Sequence, residues 1–235
     1  MMKIFFKRNE QLTATAAGIR ILIAAVFIAV PAAYCAEASP PIDEIITRLQ
    51  LTYEKTLDFN AEFVQETTVK SIKKTDIEEG TVFFKNPKNM LWNYSRPKAK
   101  KLVINPRKAW LYLPQEKVVY AQDADYIFKS KVLIKFLSGL GKLKDDFTIT
   151  YAEPRALDKK GNYLLVLTPL EKIPSLNPFQ ITIDKSTFLI LQVSFEDTMG
   201  NSTIVKFSNI SINTGLSEKI FQFKPPEGVS IFNMP

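Results

Sequence analysis

Polar and apolar residues alternate along most of this chain. In the segment Phe59–Phe63 the apolar residues Phe59, Ala61 and Phe63 fall on one face, and Asn60 and Glu62 on the other. That period of two is the mark of a half-buried strand. The same alternation predicts strands at Gly80–Phe84, Met90–Tyr94, Lys101–Ile104, Ala109–Leu113 and Lys117–Ala121, then at Phe147–Tyr151, Tyr163–Thr168, Phe179–Ile183, Leu189–Phe195 and Thr203–Ile212. A last edge strand is read at Phe221–Val229, stopped by Pro225 and Pro226. The connections, such as Lys85-Asn86-Pro87-Lys88-Asn89 and Asn105-Pro106-Arg107, carry turn chemistry.

Two stretches change to helical spacing. From Ser39, a capping residue followed by Pro40 and Pro41, the residues Ile42, Ile45, Ile46, Leu49 and Tyr53 form one apolar face. Between Ala124 and Asp145, Val132, Leu133, Phe136, Leu137 and Leu140 recur at the same spacing with lysines between them. The predicted fold is therefore mainly β: an unclosed antiparallel β-barrel of about ten or eleven strands, covered by amphipathic lid helices. A barrel of this size with a helix against its inside can hold a ligand.

The N-terminus reads as a targeting segment. Lys3, Lys7, Arg8 and Arg20 precede the apolar run Ile21–Val30, and small residues follow at Ala36 and Ala38. That is the pattern of a cleavable secretory signal peptide, and the run is about half of the ~20 residues a spanning helix needs. Residues 1–38 are expected to be removed, leaving 39–235 as a single exported domain in the periplasm. Cleavage would also remove Cys35, the chain's one cysteine, so the mature protein would rely on no disulfide. Its remaining charge, 27 Lys plus Arg against 22 Asp plus Glu, is too thinly spread to argue for nucleic acid.

The chemistry missing from the chain narrows the function. It has no histidine, only 8 glycines, no Gly-x-Ser-x-Gly elbow and no phosphate loop. The usual general base and the commonest metal ligands are thus absent, and no catalytic residue, metal or cofactor is expected. What is abundant is apolar bulk, with 17 Phe, 8 Tyr and 2 Trp.

The runs Glu79-Gly80-Thr81-Val82-Phe83-Phe84-Lys85-Asn86-Pro87 through Met90-Leu91-Trp92-Asn93-Tyr94-Ser95-Arg96-Pro97, and Phe221-Gln222-Phe223-Lys224-Pro225-Pro226-Glu227-Gly228-Val229, resemble the LolA family of periplasmic lipoprotein carriers. Phe63-Val64-Gln65 and Trp110-Leu111-Tyr112 are similar to further strand motifs of that family. The resemblance implies an apolar cavity for lipoprotein acyl chains. It also implies shuttling of acylated lipoproteins, as a monomer, from an inner-membrane lipoprotein-releasing ABC transporter to an outer-membrane lipoprotein receptor. The alternative on the same architecture is a periplasmic lipoprotein-sensing regulatory module, or a carrier of another lipid.

On the barrel side the expected acyl-chain residues are Phe63, Met90, Trp92, Leu102, Ile104 and Trp110, large apolar residues read at consistent parity, of which Met90 and Leu102 match cavity positions of the family. On the lid side they are Ile46, Leu49, Val132, Leu133, Phe136 and Leu137. Arg96, Lys98, Lys100 and Lys101, concentrated at one strand connection, are the expected partner-docking cations. Asn86 stands where the family usually has an arginine, so the lid is expected to be held by packing more than by a polar latch.

Overall fold

A computed structural model describes residues 40–124, 143–171 and 177–234, all within the unit Ser39–Pro235. The alternating runs become strands β1 (Asp58–Val69), β2 (Lys74–Lys85), β3 (Asn89–Arg96), β4 (Lys100–Ile104), β5 (Lys108–Leu113), β6 (Val118–Asp123), β7 (Phe147–Tyr151), β8 (Tyr163–Pro169), β9 (Phe179–Ile183), β10 (Ile190–Glu196), β11 (Ser202–Ile212) and β12 (Ser230–Asn233). Helix α1 (Ile42–Glu54) precedes them, and a single helical turn, α2 (Leu143–Asp146), leads into β7.

All twelve strands join one sheet in the order β12-β6-β5-β4-β3-β2-β1-β11-β10-β9-β8-β7. Two antiparallel meanders meet where β1 pairs with β11, Phe63 opposite Phe207 and Gln65 opposite Val205. The outermost strands, β12 and β7, do not pair with each other, so the barrel is unclosed. Two hairpins of the second meander turn on the same five-residue device, Asp158 to Asn162 and Asp197 to Asn201. In each, the aspartate accepts from the asparagine backbone N–H (2.9 Å in both) and from its side-chain amide (2.9 and 2.8 Å). Gly161 and Gly200, at φ of 82° and 80°, take the left-handed step that other residues adopt at a cost.

The chain's end departs from the sequence reading. Phe221–Val229 is not a strand: a 3-10 turn at Glu218–Phe221 leads into an extended crossing, and the edge strand comes later, as β12. β12 pairs with β6 in parallel, Ile231 beside Val119, the one parallel ladder among the described residues. The crossing covers the outer face of the first meander. Phe223 lies 5.9 Å from the Trp110 ring and 5.7 Å from the Tyr112 ring, while Phe221, Val103, Val119 and Ala121 are all buried outside the main core.

Asp58 anchors this return. Its carboxylate accepts the backbone N–H groups of Thr214, Gly215 and Leu216 (2.7, 2.8 and 3.1 Å) and the Thr214 hydroxyl (2.9 Å). Burial alone would raise its pKa, but these bonds stabilise the charged form and hold the carboxyl below its ordinary value.

The main core lies on the inner face. Ile45, Leu49 and Tyr53 of α1 join Leu165, Leu167, Ile181, Ile183 and Ile190 of the second meander, each at most 4% exposed. Polar contacts fix the helix in place. The Tyr53 hydroxyl accepts from the Ile190 N–H (3.2 Å), Gln50 Oε1 accepts from the Leu143 N–H (3.2 Å), and Lys144 pairs with Asp43 (2.7 Å).

Candidate functional site

Register decides which side chains share the inner face. From Phe59 the first row runs Phe59, Phe84, Met90, Ile104 and Ala109 across β1 to β5, and the next runs Ala61, Val82, Trp92, Leu102 and Leu111. The third row, Phe63, Gly80, Tyr94 and Lys100, begins to turn polar, and Gln65 and Glu78 continue it. Gly80 lets the strands approach here. A Cβ at this position would stand 2.2 Å from the backbone oxygen of Asn93, at the point where the β2–β3 register shifts.

Over these rows several aromatic pairs meet edge to face, while Trp92 and Tyr94 stack at 6.3 Å. Phe63 lies 4.8 Å from Trp92 and 4.9 Å from Tyr94, and Phe59 lies 5.6 Å from Phe84. Phe207 of β11 closes the group from the second meander, 6.1 Å from Trp92. A half-open cavity of about 190 Å3 remains. Phe84, Met90, Trp92 and Leu102 form one wall, Val193, Phe195, Val205 and Phe207 the other, and Gln65 and Tyr94 the polar end.

Of the barrel-side residues expected from the sequence, Met90, Trp92 and Leu102 line this cavity. Phe63, 1% exposed, supports Trp92 and Tyr94 from within the core, and Ile104 is fully buried in the first row. Trp110 is a correction. Even-numbered positions of β4 pair with odd-numbered positions of β5, so Trp110 lies opposite Val103 on the outer face, under Phe223. Ala109 and Leu111 take the inner positions expected for it.

The second wall was missed. Val193, Phe195, Val205 and Phe207 show ordinary strand alternation, and nothing local says that β10 and β11 will face β2 to β4. Leu49 of α1 is fully buried in the core, whereas Ile46 flanks a surface cleft beside Gln50, Lys144 and Asp145. Val132, Leu133, Phe136 and Leu137 lie outside the described residues.

Asn86 is bonded at the end of α1. Its side-chain amide donates to the Thr56 carbonyl (2.6 Å) and its N–H to that of Leu57 (2.9 Å). The amide therefore ties the β2–β3 turn to the exit from α1.

The four cations divide. Lys98 and Lys101 are exposed, and Arg96 pairs with Glu79 at 3.0 Å on the surface. Lys100 instead lies at the polar end of the inner face, 2.7 Å from Glu78 and 4.1 Å from the centre of the Tyr94 ring. Among the described residues no group of three or more acidic or thiol side chains is arranged to hold a metal ion.

An unclosed, mainly antiparallel sheet with α1 against its inner face and a largely apolar, half-open cavity defines a binder of apolar ligands. The chain belongs to the family Outer membrane lipoprotein carrier protein LolA, which it matches over residues 54–224. It is similar to the outer-membrane lipoprotein carrier protein of Methylococcus capsulatus, 26% identical over 187 residues covering 79% of this chain and 86% of that protein. The protein of the same name from Pseudomonas aeruginosa is 26% identical over 211 residues, covering 89% and 98%. Among solved structures, an uncharacterized conserved protein from Thermus thermophilus shares the fold, with a TM-score of 0.53 at 13% identity over 82% of this chain and 99% of that one.

Proposed function

We propose that this protein, exported by cleavage of residues 1–38, works in the periplasm as a monomeric lipoprotein carrier. It takes acylated lipoproteins from an inner-membrane ABC transporter, shelters their acyl chains between the β2–β4 and β10–β11 walls, and yields them to an outer-membrane receptor. The observation that carries this reading is the cavity itself: Trp92, Phe207 and their neighbours keep apolar surface open where a simple core would close over it.

The physics suits the task. Each buried methylene contributes ~0.8 kcal/mol, so an anchor of long chains does not cross water unaided. The cavity, about 190 Å3 in this structure, is smaller than the ~300 to 1,000 Å3 of typical ligand pockets, so loading requires the walls to part. The sheet permits this, because β7 and β12 are not bonded to each other and their separation breaks no ladder. Work done to part the walls weakens net binding, which is what a carrier that must release its cargo needs. Arg96, Lys98 and Lys101 supply exposed positive charge for docking, which salt should screen.

The two tryptophans make the test direct. Titration with a synthetic triacylated cysteinyl peptide should change the emission of Trp92 in the cavity, and that change should persist in Trp110→Phe and vanish in Trp92→Phe. Protein isolated from the periplasm should carry lipopeptide detectable by mass spectrometry. No emission change together with no co-purifying acylated species would refute the reading.

A further inference from the structure

The polar end of the cavity carries an inference that rests on the carrier reading and deepens it. Four side chains from four strands meet there. Lys100 Nζ donates to Glu78 Oε1 (2.7 Å), Gln65 Nε2 to Glu78 Oε2 (3.3 Å), and the Tyr94 hydroxyl to Gln65 Oε1 (3.2 Å). The Lys100 ammonium also stands over the Tyr94 ring at 4.1 Å. Lys100 and Glu78 side chains are only 27% and 22% exposed, so this is no ordinary surface ion pair. Gln65 and Tyr94 themselves line the cavity, which places the network where acyl chains would join their head.

We propose that Lys100, Glu78, Gln65 and Tyr94 form a seat for the neutral, carbonyl-rich head of an acylated N-terminus, its ester and amide oxygens, and that Glu78 turns away the phosphate of anionic phospholipids. The hydrogen bond to Glu78 uses one of three ammonium donors of Lys100 and leaves two for the oxygens of the head, while the Gln65 amide and the Tyr94 hydroxyl hold the network in place. Burial and the neighbouring Glu78 charge push the Tyr94 phenol up to about 12, so it stays protonated and keeps its bond to Gln65. A phosphate reaching for Lys100 must approach a carboxylate that sits 2.7 Å from the same nitrogen, and like charges placed together are a means of rejecting a partner. A neutral carbonyl meets no such repulsion. The seat thus separates lipoprotein from the membrane phospholipid whose tails are the same.

The experiment compares three probes on the mature protein: an uncharged triacylated cysteinyl peptide, phosphatidylglycerol, and diphenylhexatriene, an apolar probe with no polar head. Glu78→Gln keeps the shape and removes the charge, and it should raise phosphatidylglycerol binding relative to the lipopeptide by about tenfold. Lys100→Met should weaken the lipopeptide about tenfold while leaving diphenylhexatriene unchanged. Tyr94→Phe, which removes only a hydroxyl, should move lipopeptide binding in the same direction as Lys100→Met by a smaller factor. All three positions are partly exposed, and an unchanged thermal transition verifies folding. Unchanged ratios in all three folded variants overturn the seat and leave the carrier reading standing. Wild-type protein that binds phosphatidylglycerol and diphenylhexatriene but not the lipopeptide also overturns the seat. Wild-type protein that binds none of the three overturns the carrier reading itself.

Discussion

The two meanders of this sheet use the same inner face in opposite ways. In β7 to β10 the face is chiefly aliphatic, with Leu165, Leu167, Ile181, Ile183 and Ile190 buried against Leu49 and Tyr53 of α1. In β1 to β4 it is aromatic, and Trp92 and Tyr94 remain partly exposed around a cavity. The aliphatic face is covered by α1, whereas no α1 residue lines the cavity beside Trp92 and Tyr94. The aliphatic strands therefore stabilise the fold, while the aromatic strands, with Val193, Phe195, Val205 and Phe207 opposite them, keep space for a ligand.

Mutations that act on one half alone can break this division. Leu167→Ala, at a fully buried position of the aliphatic half, should cost about 3 kcal/mol in urea unfolding and leave the binding ratio of the three probes unchanged. A comparable loss of lipopeptide selectivity would show that the halves are not separable.

Asp58→Ala removes the acceptor of three backbone N–H groups, and should cost about 2 kcal/mol at neutral pH. Because the folded carboxyl is held below its unfolded value of about 3.9, its stabilisation is complete above that value and is lost as pH falls through the folded one. Acid titration of the unfolding free energy should accordingly fall less steeply below pH ~4 in the variant than in the wild type.

Asn86→Ala deletes the bond to the Thr56 carbonyl and should cost about 1 kcal/mol, with faster amide exchange at the end of α1. Exchange that is unchanged there would mean that packing holds the helix, as the sequence suggests.

The smallest effect on stability is the sharpest for function. Val205→Phe projects into the cavity and should change stability by less than about 1 kcal/mol, since the added ring enters space already present. Calorimetric titration should nevertheless show weaker binding of the triacylated peptide.

Much of this organisation can be read from local pattern. The alternation from Phe59 to Ile212 marks the strands, because a side-chain period of two is written into consecutive positions, although β1 and β2 run six residues further than it shows, to Val69 and back to Lys74. The α1 stripe of Ile45, Leu49 and Tyr53 and the turns at Lys85–Asn89 and Asn105–Arg107 are legible for the same reason: each depends on neighbours in the chain. Met90, Trp92 and Leu102 line the cavity.

What local pattern does not hold is the meeting of residues far apart. The parity of Trp110 depends on how many residues the Asn105–Arg107 turn inserts between two ladders, and a step of one moves a side chain to the other face. The second cavity wall arises because β1 pairs with β11, more than a hundred residues away. The parallel seating of β12 on β6 likewise requires the chain to turn at Asp58, cross the outer face over Trp110 and Tyr112, and return to the edge. Sequence alone determined which residues are apolar and, ahead of the C-terminal crossing, where the strands and α1 lie. Tertiary structure decided which of them face each other, because that choice is made by long-range pairing whose energy no single segment contains.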